Sequence, residues 1–233
     1  MSDEAVLHPD GWPVLPAGAP SGPVLVHCDA RQTHPLVRDH PAVRRHPARA
    51  AVLAAHLEVL DHLAGGRPLW LPAFNYDYCR GEPFDLAHTA SQVGPITEHF
   101  RRSAAWRSAM PVFSVCGTGA PFPGAAPGDG ELDPFGDRSA FAALAEADGV
   151  IVWYGAPLSS TTMIHHAERS AGGPLYRYDK HFDGVTWAAG RQHRTSLRYH
   201  VRPWGRHLDY DWPRLAADLA THGILQPLRP ELG

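Results

Sequence analysis

The chain has 233 residues, 44% of them hydrophobic and 19% charged, which suits one sizeable core and excludes disordered, collagen-like and coiled-coil classes. A formal charge of −3 and a pI near 6.6 provide no basic field to hold nucleic acid or an anionic membrane. No run approaches the about 20 apolar residues of a membrane span, and Met1–Leu7 carries acids where a secretory leader would carry bases, so a soluble, cytoplasmic protein is expected. Cys28, Cys79 and Cys116 are an odd set without CxxC spacing, which points to free thiols and not to disulfides or a cysteine zinc site.

Residues 1–22 contain Pro9, Pro13, Pro16 and Pro20, which cannot hold a helix, and read as an extended arm ahead of a domain spanning 23–233. Pro23 to His27 is short, apolar and β-branched, a buried strand ending at His27 or Cys28. Pro47 to Ala64 keeps helical spacing through Leu53, Leu57, Leu60 and Leu63 until Gly65 and Gly66 stop it. Leu69 to Phe74 reads as a strand, Asn75 to His88 as an aromatic, acidic loop, and Gly94 to Arg102 as a helix with basic residues at its negative end. Met110 to Cys116 is the next expected strand and Phe141 to Ala147 the next helix. Val150 to Tyr154 reads as the most buried strand, and a helix begins near Thr161 or Thr162. A hairpin is expected around Asp183-Gly184 and Trp187, and a last helix from Trp212 to His222. Strands alternating with helices predict an α/β fold: a single domain with a central mixed sheet flanked by helices.

The segment Thr161–Glu168 carries the chemistry. His165 and Glu168 stand three apart on one helical face, so the carboxylate can fix one ring nitrogen and leave the other as a proton acceptor, while His166 points elsewhere. The helix N-terminus disfavours a proton on His165 and Glu168 favours one. The same spacing also occurs on helices with no chemistry. A metal would need a third ligand, and nothing in the spacing of His193, His200 or His207 selects one.

Further groups line up along the chain: Val24–Cys28, Leu71–Phe74, Phe84-Asp85 with Thr89 and Ser91, Gly94–Arg101, Arg107–Pro111 with Ser114, Phe135-Gly136 with Ser139, and Thr162–Glu168. In this order they resemble the motifs of the aminoglycoside 3-N-acetyltransferase-like (antibiotic N-acetyltransferase) family, which is distinct from the GNAT fold. The chain looks like a divergent member. Asp29 replaces a serine of that pattern, Met110 a histidine, Thr161 an asparagine and Ala140 a proline, and a family helix ahead of the first strand looks replaced by the proline-rich arm.

The resemblance implies a metal-free acyl transfer from acetyl-CoA, or another acyl-CoA, to a primary amine of an aminoglycoside, an amino sugar or a biosynthetic natural-product intermediate. His165 would deprotonate the amine and Glu168 would orient it. His27, Cys28, Arg107, Ser108, Ser114 and Ser139 would line the coenzyme A channel, near which the Asp29 carboxylate would repel phosphate. Asn75, Asp77, Glu82 and Thr162 would face the acceptor, with Asp85, Asp179, Asp183, Asp209 and Asp211 as further carboxylates for a polycation. Small molecules are then the expected partners, whether the chain is a monomer or a homodimer. Two other readings stand beside this one: Cys28 as the nucleophile of an acyl-enzyme pathway, and a binding descendant without turnover.

Overall fold

The structure is a computed structural model that describes residues 12–203 and 209–228. Its elements in chain order are β1 (Val24–Cys28), α1 (Ala30–Val37), α2 (Pro41–Arg45), α3 (Arg49–Ala64), β2 (Leu69–Pro72), β3 (Phe84–Asp85), α4 (Pro95–Arg101), β4 (Trp106–Arg107), β5 (Val115–Gly117), β6 (Gly130–Leu132), α5 (Ala140–Glu146), β7 (Val150–Tyr154), α6 (Met163–Ser170), β8 (Tyr178–Ala188), β9 (Arg191–Val201) and α7 (Trp212–Thr221). They build a mixed α/β fold with two mixed sheets.

The first sheet runs β4-β5-β2-β1-β7. β1 pairs in parallel with β2 and β7, and β5 is antiparallel to both β2 and β4. Side chains alternate across it. Val24, Val26, Leu71, Cys116 and Val152 face one apolar cluster with Leu53, Val59, Leu60 and Leu63 of α3 and Ile96 and Phe100 of α4. Leu25, Trp70 and Val115 face a second, aromatic cluster with Phe113, Phe135, Phe141 of α5 and Leu197 of β9. Burial of these two faces at about 25 cal/mol per Å² is the main force holding the layers together. Of the arm, the described part lies against the helices: Trp12 stacks on His40 and meets His62 edge-on.

The second sheet, ordered β3-β8-β9-β6, lies over the aromatic cluster. Its core is the antiparallel β8–β9 hairpin, with β3 and β6 parallel on its flanks.

The structure corrects several sequence expectations. Asp183 and Gly184 do not turn; they pair with Ser196 and Thr195 inside the hairpin. A Cβ on Gly184 would come within 2.8 Å of the Tyr78 ring, so the glycine admits Tyr78, whose hydroxyl bonds to Thr195. The turn is Ala189-Gly190, with both φ positive at 49° and 75°, the backbone hand that matches strand twist in a tight hairpin. Met110 to Cys116 is not one strand: Val112 sits at φ 66° after Pro111, and regular pairing begins only at Val115. Val150 to Tyr154 is an edge strand with Ile151 and Trp153 only half-buried. α1 and α2 add two helices between β1 and α3 that the sequence expectations do not include; Pro35 is tolerated inside α1 and Pro41 starts α2. The Asp29 carboxylate caps α1 through the Arg31 amide at 2.9 Å.

Candidate active site

The turn after β7 aims α6 at a cavity. Trp153 Nε1 donates to Thr161 Oγ1 at 2.9 Å, and Thr162 holds the N-cap position, so the helix starts where the sequence places it. His165 lies on the wall of a cavity of about 220 Å³ that Thr161, Arg202, Asp209, Tyr210 and Trp212 also line. The Phe135 ring stands edge-on to the imidazole at 5.1 Å. His166 turns away, its Nδ1 2.7 Å from the Phe135 carbonyl.

Behind the ring, Glu168 is hydrogen-bonded through Oε1 and ion-paired through Oε2. Oε1 accepts from the Tyr176 hydroxyl and from that of Tyr210 at 2.6 Å. Oε2 lies 3.0 Å from Arg177 Nε and 3.5 Å from His165 Nδ1. Arg177 reaches further, with Nη2 3.2 Å from His165 Nδ1 and 2.8 Å from the Tyr210 oxygen, and Nη1 donates to the His200 carbonyl. Burial, and then Arg177, lower His165 to about 4 despite the opposing pull of Glu168. Burial alone would raise Glu168, but the two tyrosines and Arg177 outweigh it and hold the carboxyl below its ordinary range. A neutral imidazole therefore faces the cavity at neutral pH, backed by an ionised carboxylate. Sequence reading missed Tyr176, Arg177 and Tyr210; they are 8, 9 and 42 positions beyond Glu168, where no helical spacing links them.

Of the residues expected along a coenzyme A channel, Arg107 lines the larger of two cavities, and the other five line neither. His27 and Cys28 are consecutive on β1 and point to opposite faces, as strand geometry requires. His27 is buried with Nε2 unpaired, and burial lowers it to about 4. Arg107 is engaged throughout: Nε donates to Ser114 Oγ, Nη1 to the carbonyls of Leu86 and Thr89, and Nη2 to that of Ala73, while the group stacks over Phe84. Ser108 accepts from the Val115 amide, Ser114 donates to Ala73, and Ser139 caps α5. These four residues brace the chain through those bonds. Cys28 lacks the setting of a nucleophile: burial, and then Cys116, push its thiol well above the ordinary range.

The acceptor expectations fall on different ground. Asn75 is buried, braced by Ala90 and the Asp77 amide. Asp77 bonds to Arg80 and Gln92, and Glu82 is exposed. None of them, nor Thr162, lines the cavity beside His165; Asp209 does. Asp211 caps α7 and Asp179 pairs with Arg169 and His200. Among the described residues no three histidines, cysteines or carboxylates lie close enough to hold a metal ion; His207 lies outside them. A larger cavity of about 620 Å³ opens at the closed end of the hairpin between Trp106 and Trp187. Its three arginines are already engaged, Arg101 and Arg102 on Glu98 at 2.8 and 3.1 Å and Arg107 as above. Among the described residues no helix is long and apolar enough to cross a membrane.

Comparison with known proteins decides the relationship. The family model for aminoglycoside 3-N-acetyltransferase matches residues 25–228. The chain belongs to that family. The aminoglycoside N(3)-acetyltransferase VIII of Streptomyces fradiae is 38% identical over 82 residues, 35% of this chain and 25% of that relative, so the shared stretch spans a quarter of the relative's length. Solved 3-N-acetyltransferases share the fold. AAC-IIIb in a binary complex with CoASH superposes with a TM-score of 0.66 at 19% identity, covering 89% of this chain and 81% of the other. A variant of AAC(3)-IVa complexed with apramycin gives 0.58 at 21%, covering 89% and 75%.

Proposed function

We infer that the protein is an acetyl-CoA-dependent N-acetyltransferase that modifies a primary amine of an aminoglycoside, an amino sugar or a related natural-product intermediate, with His165 as general base and Glu168 as its partner. The observation that carries this reading is the neutral, cavity-facing imidazole of His165 backed by the Glu168 carboxylate, in a chain whose family is defined by amine acetylation.

The physical requirements are simple. An amine arrives as an ammonium and must lose a proton before its lone pair can attack a carbonyl carbon. Acetyl-CoA supplies the acetyl group as a thioester. Asp209, which lines the same cavity, offers an anionic contact for the incoming ammonium. His165 Nε2 takes one amine proton, and Glu168 stabilises the imidazolium through Nδ1–H. The products are an N-acetyl amide and a free thiol, with the departing sulfur taking up a proton. Such positioned proton transfer is worth roughly 10² to 10⁴ in rate, and holding both substrates together removes encounter entropy besides.

The test is thiol release from acetyl-CoA with a panel of aminoglycosides, amino sugars and simple amines. Turnover that depends on His165 and survives Cys28→Ser is expected. Binding of the amines without thiol release, or loss of turnover with Cys28→Ser and a trapped acyl adduct, overturns the reading.

A further inference from the structure

Glu168 and His165 do not form the short contact that a working base needs: Nδ1 to Oε2 is 3.5 Å, whereas Arg177 Nη2 stands 3.2 Å from the same Nδ1. A guanidinium can only donate. A ring nitrogen that accepts from it carries no proton, and a neutral imidazole must then bear its single proton on Nε2, the nitrogen away from Glu168. In that tautomer Nε2 has no lone pair to offer an amine. Arg177 is well placed to impose this, since its side chain is only 5% exposed and is fixed at three further points, Glu168, the His200 carbonyl and the Tyr210 hydroxyl. The other groups that face the ring are Glu168, Tyr176, Tyr210, Arg202 and Asp209. Tyr176 and Tyr210 direct their hydroxyls to Glu168, and Arg202 and Asp209 lie along the cavity wall.

We propose that Arg177 is a positioning residue that sets the tautomer of His165, holding the resting ring with its proton on Nε2 until the acceptor amine selects the form that donates Nδ1–H to Glu168. This deepens the reading of His165 as the base and rests on it. In the exchange one proton leaves Nε2 to water and one arrives at Nδ1 from water, so the ring's charge is unchanged. The drive comes from the substrate, because an ammonium N–H cannot sit against Nε2–H but can donate to an unprotonated Nε2; its binding therefore shifts the population. Resting and working forms differ by less than an ångström in the Nδ1 to Oε2 distance.

The test is nitrogen NMR of the full-length chain with labelled histidine rings, the His165 signals being assigned by their loss in His165→Gln. At neutral pH without substrate, Nε2 carries the proton in the wild type, and in Arg177→Met, which can neither donate nor repel a proton, the proton moves to Nδ1. The His165 titration midpoint rises in that variant by at least about one pH unit, a tenfold gain in proton affinity, and the acid limb of kcat/KM follows it. If Arg177→Met does not fold, Arg177→Gln carries the same titration test. A wild-type ring protonated on Nδ1, or a folded Arg177 variant with unchanged tautomer and midpoint, overturns the proposal. A His165→Gln protein that acetylates at the wild-type rate instead removes the base reading and leaves the tautomer result standing.

Discussion

Arg107 is half-buried and the Arg177 side chain is buried, and the two guanidiniums do different work. Arg107 directs its donors to neutral oxygens, the Ser114 hydroxyl and the carbonyls of Ala73, Leu86 and Thr89, and pairs with no carboxylate among the described residues. Burial lowers it to about 10, and its role is to tie the loop before α4 to the edge of the first sheet. Arg177 meets an ionised carboxylate, a neutral imidazole and a phenol beside an open cavity. The lesson is that residue type does not separate a brace from a tuning group. The chemistry of the partners does: carbonyls satisfy a guanidinium without titrating, whereas a carboxylate and an imidazole change protonation state with it.

The comparison can be broken most sharply at the base. His165→Ala should lower kcat roughly 10² to 10⁴-fold while the thermal transition moves little, because the ring lines a cavity. Arg107→Met should show the opposite split. Removing the guanidinium leaves the Leu86 and Thr89 carbonyls unpaired, a cost of about 2–4 kcal/mol and roughly 5–15 °C in Tm, with KM for acetyl-CoA unchanged in the enzyme that remains folded. A fall in affinity for acetyl-CoA with little change in Tm would instead make Arg107 a phosphate ligand.

Acid sensitivity sharpens the contrast between buried groups. His27 and His56 are lowered to about 4 by burial, with His34 adding to the shift at His56, and His165 by burial and Arg177. Between about 4 and the ordinary value of 6.5 the unfolded chain binds more protons than the folded one. Stability should therefore be complete above pH 6.5 and fall as the pH drops toward 4, by on the order of 1–3 kcal/mol per histidine. Urea unfolding across that window checks the sign, and His56→Gln should flatten the slope. The smallest effect expected is at Cys28: with a thiol pushed up by burial, Cys28→Ser should hold kcat within about twofold.

Elements carried by a clear period were legible in the sequence. The apolar run of β1, the leucine spacing of α3 with its glycine stop, and the short helix α5 all stand where local pattern puts them. Legibility failed where a residue serves a distant contact. Gly184 reads as a turn, but it makes room for the ring of Tyr78, which is remote in sequence. Val112 reads as strand, but its backbone turns left-handed and its carbonyl receives the Asn75 amide. In the candidate site the pair His165 and Glu168 was visible because helical spacing is local, whereas Arg177 and Tyr210 arrive from the lead into β8 and the lead into α7.

Sequence alone determined the α/β class, the ordered motifs that mark the family, and the placement of an imidazole and a carboxylate on one helical face, because periodicity and short spacing are properties of neighbouring residues. Only the tertiary structure decided that Arg107 and the serines brace the fold, and that Arg177 contacts both the imidazole and its carboxylate. Those outcomes depend on which side chains meet across layers, and burial makes each unpaired donor costly enough that the chain is held to one arrangement.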